Sequence, residues 1–322
     1  METAQPRGHW ARIRERGSMW GLRFTVRCYR TFGPVLSLPL IYAVVGYFFL
    51  TDARGRAASQ RYLERVREHG ERNGERVALP SRAGTWQSFL HYREFALSIA
   101  DRVGLWSGAS RDFAFDFSGR DHFDRLHEEG RGAILYGAHL GSFDALRVLS
   151  VLDGVAVNVL MYTQHAPMIN EIFRELAPEA EVRVIAAADD SARTALRIKA
   201  CLDRGEHVAI LADRVEARDR KRVVPLDFLG LPAVFPEAPF QLPSLLGAPA
   251  LLVLALRSGP RSYAVRVELL GDEREPVPRG ERPKRSRALV EAYVRRLEHY
   301  CVRWPRQWFN FYDVWDIASE AS

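Results

Sequence analysis

A histidine and an aspartate, His139 and Asp144, stand five positions apart within residues 132–152 (GAILYGAHLGSFDALRVLSVL). An imidazole beside a carboxylate is suited to general-base chemistry. The carboxylate holds one tautomer and stabilises the imidazolium, while the other ring nitrogen takes a proton from a hydroxyl group. We therefore take His139 and Asp144 as a candidate catalytic pair.

The spacing of this pair imposes a structural condition. Within one α-helix, residues five apart point about 140° away from each other, so the side chains could not cooperate there. Across a turn from a strand into a helix, Asp144 can fold back onto the His139 ring, with Ser142 capping the helix. The alternative is a structural histidine at a strand end. A glycine-bearing turn after an apolar strand favours function, because open α/β sheets place their sites there.

The elements that position the pair alternate between short apolar runs and helical patterns. Apolar runs typical of strands occupy residues 133–136, 155–161, 182–186, 208–211, 251–256 and 263–270. Helical patterns lie between them, including one capped by Asp190 or Ser191, and a final helix covers residues 286–304. This alternation predicts an α/β fold with a mostly parallel sheet flanked by helices.

The amino-terminal third has a different composition. Residues 1–30 carry seven arginines against two glutamates, and residues 31–51 (TFGPVLSLPLIYAVVGYFFLT) carry no charge. The uncharged run is close to the roughly 20 residues that cross a bilayer, although Pro34 and Pro39 would disturb a straight helix. We predict a helix embedded from the cytoplasmic side or spanning the membrane. A buried core helix is the alternative.

These patterns divide the chain into four parts: a basic leader (1–30), a membrane-associated helix (31–51), an amphipathic helical segment (52–110) and a catalytic domain (111–317).

The net charge of +6 on 322 residues suits anionic lipid, an acidic carrier protein or phosphate esters. No nucleic-acid motif accompanies it. Three scattered cysteines form neither a disulfide framework nor a zinc pattern, and we expect no metal or resident cofactor.

The segment from Gly137 to Asp144 (GAHLGSFD) resembles the HX4D motif of the lysophospholipid acyltransferase superfamily. It is most similar to the lipid A biosynthesis (late) acyltransferase branch. The resemblance implies that His139 is a general base on the acceptor hydroxyl and that Asp144 orients it.

Further blocks extend the resemblance over roughly residues 30–315. Residues 202–213 (LDRGEHVAILAD) are similar to the stretch that meets the acceptor headgroup, with Asp213 at its acidic position and Arg214 in place of a glycine. Residues 228–239 and 246–253 are similar to the branch's "FFG" and "GAPVVP" segments. We expect Asp213, Arg214 and Arg218 to bind substrate at the sheet edge that carries His139. Arg218 belongs to a basic loop that could instead be plainly solvated.

The resemblance implies transfer of a fatty acyl group from acyl carrier protein or coenzyme A to a hydroxyl or amine of a membrane lipid or lipid-like acceptor. It places the protein at the cytoplasmic face of the inner membrane. Two alternatives stay open at this point: a non-catalytic, membrane-anchored lipid-binding protein of the same fold, and a glycosyltransferase. Residues 304–315 are rich in aromatic side chains, for which we favour packing of the carboxyl terminus over a membrane or acyl-chain contact.

Overall fold

The computed structural model describes residues 36–80, 84–106, 112–143, 156–161, 183–186, 191–215 and 222–316, with the single positions 27, 28, 31 and 33. Three helices precede the sheet: α1 (Leu38–Thr51), α2 (Ala53–Arg72) and α3 (Thr85–Trp106). Asp52 separates the first two and caps α2, where its side chain accepts from the Gly55 N–H at 3.2 Å.

The α/β part of the chain begins with β1 (Ala114–Ser118), α4 (Asp121–Glu128) and β2 (Ile134–Gly137). The following elements are β3 (Val157–Met161), β4 (Arg183–Ala186), α5 (Ser191–Leu202), β5 (His207–Leu211), β6 (Val223–Phe228), β7 (Leu231–Pro236), the 3₁₀ helix η1 (Ala238–Gln241), α6 (Leu242–Leu246), β8 (Pro249–Gly259), β9 (Ser262–Asp272) and α7 (Arg282–Arg303).

Seven of the described strands form one sheet in the order β1-β9-β8-β2-β5-β3-β4. Five of its six neighbouring pairs are parallel, and β8 pairs antiparallel with β9. The predicted α/β fold with a mostly parallel sheet is therefore confirmed. At the centre of the sheet, β2 lies between β5 and β8. These three strands are buried on both faces, so their sequences are continuous hydrophobic runs.

For residues 31–51 the sequence predicts a helix that is embedded in the membrane or spans it, and the structure does not support a spanning helix. Helix α1 has 14 residues, which is fewer than the roughly 20 that span a bilayer. In the part of the chain that the structure describes, no helix is long and apolar enough to cross a membrane. The α1 helix buries one stripe, Ile41, Val45 and Phe49, and the Phe49 ring lies edge-on to Tyr92 of α3 with centroids 5.5 Å apart.

The carboxyl-terminal helix α7 joins the sheet to the helical segment. Its buried face includes Tyr293, Leu297 and Cys301, which belong to the same core as Tyr62 and Val66 of α2. After α7 the chain turns at Trp304 and runs back along the carboxyl end of β2. The last described segment therefore lies where the candidate histidine lies.

Candidate active site

His139 lies two residues beyond the end of β2, at the carboxyl edge of the parallel strands. The turn that follows requires glycine at position 141. Gly141 has φ +78°, and a Cβ there would collide with the Ala255 carbonyl of β8. The backbone can therefore pass close over β8, and the Ser142 N–H donates to the same carbonyl at 2.8 Å.

The carboxyl-terminal segment pairs with this turn as a short antiparallel ladder. The Phe309 N–H donates to the His139 carbonyl at 2.7 Å, and the Gly141 N–H donates to the Gln307 carbonyl at 2.9 Å. Leu140 and Trp308 form the β-bridge between these two bonds. These two backbone bonds lie on either side of Leu140 and fix the backbone from His139 to Gly141. The position of the His139 Cα atom therefore depends on a segment about 170 residues away in the chain.

Among the described residues, the carboxylate that contacts the His139 ring belongs to Asp213, two residues after β5. The His139 Nδ1–H donates to Asp213 Oδ1 at 2.8 Å, and the His139 backbone N–H donates to Oδ2 at 3.0 Å. This fixes the tautomer with hydrogen on Nδ1, so Nε2 is the nitrogen that carries the lone pair. The side chain of His139 is 28% exposed and that of Asp213 is 0% exposed.

Two further side chains from the carboxyl-terminal segment bind Asp213. The Trp308 indole Nε1–H donates to Oδ2 at 2.9 Å, and the Asn310 Nδ2–H donates to the same oxygen at 3.1 Å. Burial opposes ionisation of Asp213, but the charge of His139, these hydrogen bonds and the Arg214 guanidinium hold the pKa of this carboxyl well below its usual range. Asp213 is therefore an anion at neutral pH.

At His139 the surroundings favour the neutral form of the ring, whereas at Asp213 they favour the charged form. Burial of the ring and the positive charges of Arg214 and Arg102 lower the pKa of His139, and they outweigh the anion of Asp213. His139 is therefore neutral near pH 7, which is the protonation state of a general base.

Arg214 follows Asp213 and contacts the carboxyl-terminal segment. Its Nε–H donates to Asn310 Oδ1 at 2.7 Å, and its Nη2 donates to the Phe309 carbonyl at 3.1 Å. The guanidinium also lies 5.8 Å from the centre of the Tyr312 ring. The structure thus brings Asp213 and Arg214 to His139 and gives both of them protein partners.

Two of the predicted site residues, Asp144 and Arg218, lie outside the described residues, so their roles stay predictions. Sequence reasoning missed Trp308 and Asn310 because they stand in a segment whose aromatic composition indicates packing. No local spacing links them to His139. In the described ranges, no group of three or more histidine, cysteine, aspartate or glutamate side chains is arranged to hold a metal ion.

Comparison with known protein families found one family model whose match covers the residues of this site. The model of the bacterial lipid A biosynthesis acyltransferase family matches residues 87–315, which is more than half of the chain. The matched range includes His139, Asp213, Arg214, Trp308 and Asn310. A search of curated proteins found no match.

Proposed function

Since the chain belongs to the bacterial lipid A biosynthesis acyltransferase family, we propose that it moves a fatty acyl group from a thioester to a hydroxyl or amine of a lipid or lipid-like acceptor. The donor is acyl carrier protein or coenzyme A. The observation that carries the proposal is the partly exposed imidazole of His139 bonded through Nδ1 to a buried, ionised carboxylate.

In this mechanism Nε2 of His139 takes the proton of the acceptor as its oxygen or nitrogen attacks the thioester carbonyl carbon. The carbon–sulfur bond then breaks, and the leaving thiolate receives the proton from the imidazolium. Asp213 stabilises the imidazolium and keeps Nδ1 protonated. Thioester exchange by this route requires no metal ion and no resident cofactor.

We assign Arg214 to an anionic group of the acceptor, since guanidinium pairs well with phosphate or carboxylate. Its position next to Asp213 and its electrostatic effect on His139 support this assignment. Arg218, four residues further on, is assigned to the same role on the basis of the sequence alone. Asp144 keeps the role that the HX4D resemblance implies for it, which is to orient His139.

The test is transfer itself. The purified full chain is incubated with a total lipid extract and a donor whose acyl group is radiolabelled, either as the thioester of acyl carrier protein or as that of coenzyme A. The labelled lipids are then separated. A labelled acyl-lipid product supports the proposal. A non-catalytic lipid-binding protein would retain lipid without forming product. Incorporation of sugar from a labelled nucleotide sugar, with no acyl product, would favour the glycosyltransferase.

We also propose that the protein binds the cytoplasmic face of the inner membrane through α1 and the start of α3. Large apolar side chains are exposed on these helices and just before α1: Leu36 (71%), Tyr47 (61%), Leu50 (77%) and Trp86 (63%). Exposed aromatic and leucine side chains of this kind suit the lipid–water interface, and the basic leader of residues 1–30 suits anionic headgroups.

Vesicles of phosphatidylglycerol and phosphatidylethanolamine test this surface by co-sedimentation. Leu50→Glu combined with Tyr47→Glu should reduce the bound fraction, because charge is costly at the apolar boundary. Leu196→Glu is the matched control, since Leu196 is 71% exposed and lies on α5, which packs against β4, β5 and α6. Equal binding of both variants would contradict the assignment and leave the acyl-transfer proposal intact. A further variant lacking residues 1–51 should also lose membrane binding.

A further inference from the structure

The Asp213 carboxylate divides its charge between two oxygens with different partners. Oδ1 accepts from the His139 ring, while Oδ2 accepts from the His139 backbone, the Trp308 indole and the Asn310 amide. Donors on Oδ2 draw negative charge away from Oδ1 and thereby weaken its hold on the His139 proton. The groups bound to Oδ2 therefore affect how basic His139 is.

Trp308 is held in place from the amino-terminal helices. Its carbonyl oxygen accepts from His91 Nε2–H of α3 at 2.9 Å. With hydrogen on Nε2, His91 Nδ1 accepts from the Ser59 hydroxyl of α2 at 3.0 Å, and Ser59 accepts from Ser88 at 2.9 Å. Every polar atom of this buried chain has a partner, so the position of the Trp308 backbone is strongly determined.

The Trp308 ring is fixed by its packing as well. It is 1% exposed, and its centroid lies 5.0 Å from the Tyr62 ring and 5.1 Å from the Phe228 ring. Tyr62 comes from α2 and Phe228 from the end of β6. The indole N–H is therefore aimed at Asp213 by three separate parts of the fold.

We propose that Trp308 is a positioning residue that sets the orientation and basicity of His139 by fixing Asp213 and binding its Oδ2. Its consequence for acyl transfer rests on the proposed function. The link from Trp308 through Asp213 to His139 is a property of the fold and can be tested without catalysis.

Removal of the indole N–H has a definite sign. Oδ2 loses a donor, charge returns to Oδ1, and the imidazolium of His139 becomes more stable. The pKa of His139 should rise by about half a unit. Among the described residues, the charged groups that act on His139 are Asp213, Arg214 and Arg102, and Tyr293 of α7 faces Asp213. Trp308→Phe retains all four of these groups.

The experiment measures the pKa of His139 by NMR of labelled histidine side chains in the full-length protein, with His139→Ala used to assign the signal. Trp308→Phe keeps an aromatic ring in place and removes the donor. In parallel, the rate of acyl transfer is followed against pH. The acid limb of kcat should move to higher pH by about half a unit, so kcat on that limb should fall about three-fold at a fixed pH, with kcat near pH 7 little changed and both KM values unchanged.

Trp315→Phe is the matched control. Trp315 is also buried and also contacts Phe228, but its indole N–H donates to the Phe228 carbonyl at 3.1 Å. This variant should lower the melting temperature as Trp308→Phe does, and it should leave the pKa of His139 where it was. A purely structural role for Trp308 predicts the same behaviour for both variants.

Asn310→Ala provides a second variant, because Asn310 is the other side-chain donor to Oδ2. It should raise the pKa of His139 in the same direction. An unchanged pKa of His139 in folded Trp308→Phe, or in folded Asn310→Ala where Trp308→Phe does not fold, would overturn the proposal. Absence of acyl transfer by the unaltered protein would refute the proposed function instead, since the NMR measurement does not depend on turnover.

Discussion

Two histidines, His139 and His91, are linked to the same tryptophan in different surroundings. His139 is 28% exposed, and its Nδ1–H donates to a carboxylate that the Trp308 indole also binds. His91 is fully buried, with the Trp308 carbonyl and the Ser59 hydroxyl as partners. The two rings have the same chemistry, so the difference in their roles comes from partner and exposure.

Burial lowers the pKa of both rings, but in the described part of the chain only His139 has an anion that opposes this shift. Desolvation and the charge of Arg306 lower the pKa of His91 to about 3, so the ring stays neutral at neutral pH and does not take up a second proton. At His139 the Asp213 anion resists the same desolvation. A carboxylate partner and a partly exposed side chain therefore distinguish a base from a structural histidine in this protein.

The largest test of this comparison is His139→Ala. General-base removal costs about 10²–10⁴-fold in rate, so turnover should fall below about one percent. The fold and membrane binding should be retained, because the side chain of His139 contributes little to the core. Circular dichroism and vesicle binding provide the controls. Turnover well above one percent in the folded variant would mean that another group removes the acceptor proton.

The next test separates the two carboxylates. Asp213→Asn should reduce kcat by about 10²-fold and shift the acid limb to lower pH, because the anion that raises the pKa of His139 is lost. Asp144→Asn is predicted from the motif to be severely impaired as well. Since Asp213 occupies Nδ1, orientation by Asp144 would require contact with Nε2. A pH shift for Asp213→Asn alone would make Asp213 the orienting group, and a shift for Asp144→Asn alone would restore that role to the motif.

These outcomes bear on how much the sequence could predict. Apolar runs indicated β2, β3, β4, β5, β8 and β9, because buried parallel strands are continuously hydrophobic. The hairpin β6–β7 gave no such signal, since Pro225, Pro232 and Pro236 interrupt its strands. Proline removes a ladder donor, and only a two-stranded edge hairpin tolerates it so often.

The candidate site, like the fold, was predicted from the sequence in part. Two strands at one sheet edge placed Asp213 near His139, because parallel strands present their carboxyl ends together. Which carboxylate meets the ring depends on the adjacency of β2 and β5, although β3 and β4 come between them in the chain. Trp308 and Asn310 reach the site through a backbone ladder that leaves no periodic pattern, so no sequence rule indicated them.

A smaller effect is expected from Arg214→Ala. The guanidinium lowers the pKa of His139, so its removal should move the acid limb to higher pH. If Arg214 binds an anionic acceptor group, the KM for acceptor should rise several-fold more than the KM for the acyl donor. Arg222→Ala offers a control, because Arg222 is an exposed arginine at the start of the hairpin. Equal changes in both KM values would assign Arg214 to holding Asn310 and Phe309 in place.

The smallest effect on turnover should come from His91→Gln, whose main effect is on stability against pH. The folded pKa of His91 is about 3 and the unfolded value is about 6.5, so between these values the unfolded chain binds a proton that the folded chain does not. Stability therefore falls as pH decreases through this window, by up to about 1.4 kcal/mol per pH unit. Glutamine does not titrate, so the variant should lose less stability between pH 6.5 and 4 than the unaltered protein, as measured by thermal unfolding.

His207→Gln is the control for this last variant. His207 is also buried, with a pKa lowered to about 4, and its Nδ1 accepts from the Ala133 N–H at the opposite end of β2. It should flatten the pH dependence of stability in the same way. Only His91→Gln should reduce turnover, by a few-fold, because His91 donates to the carbonyl of Trp308 and His207 does not contact this segment. Equal turnover in the two variants would show that the amino-terminal helices stabilise the fold without positioning the base.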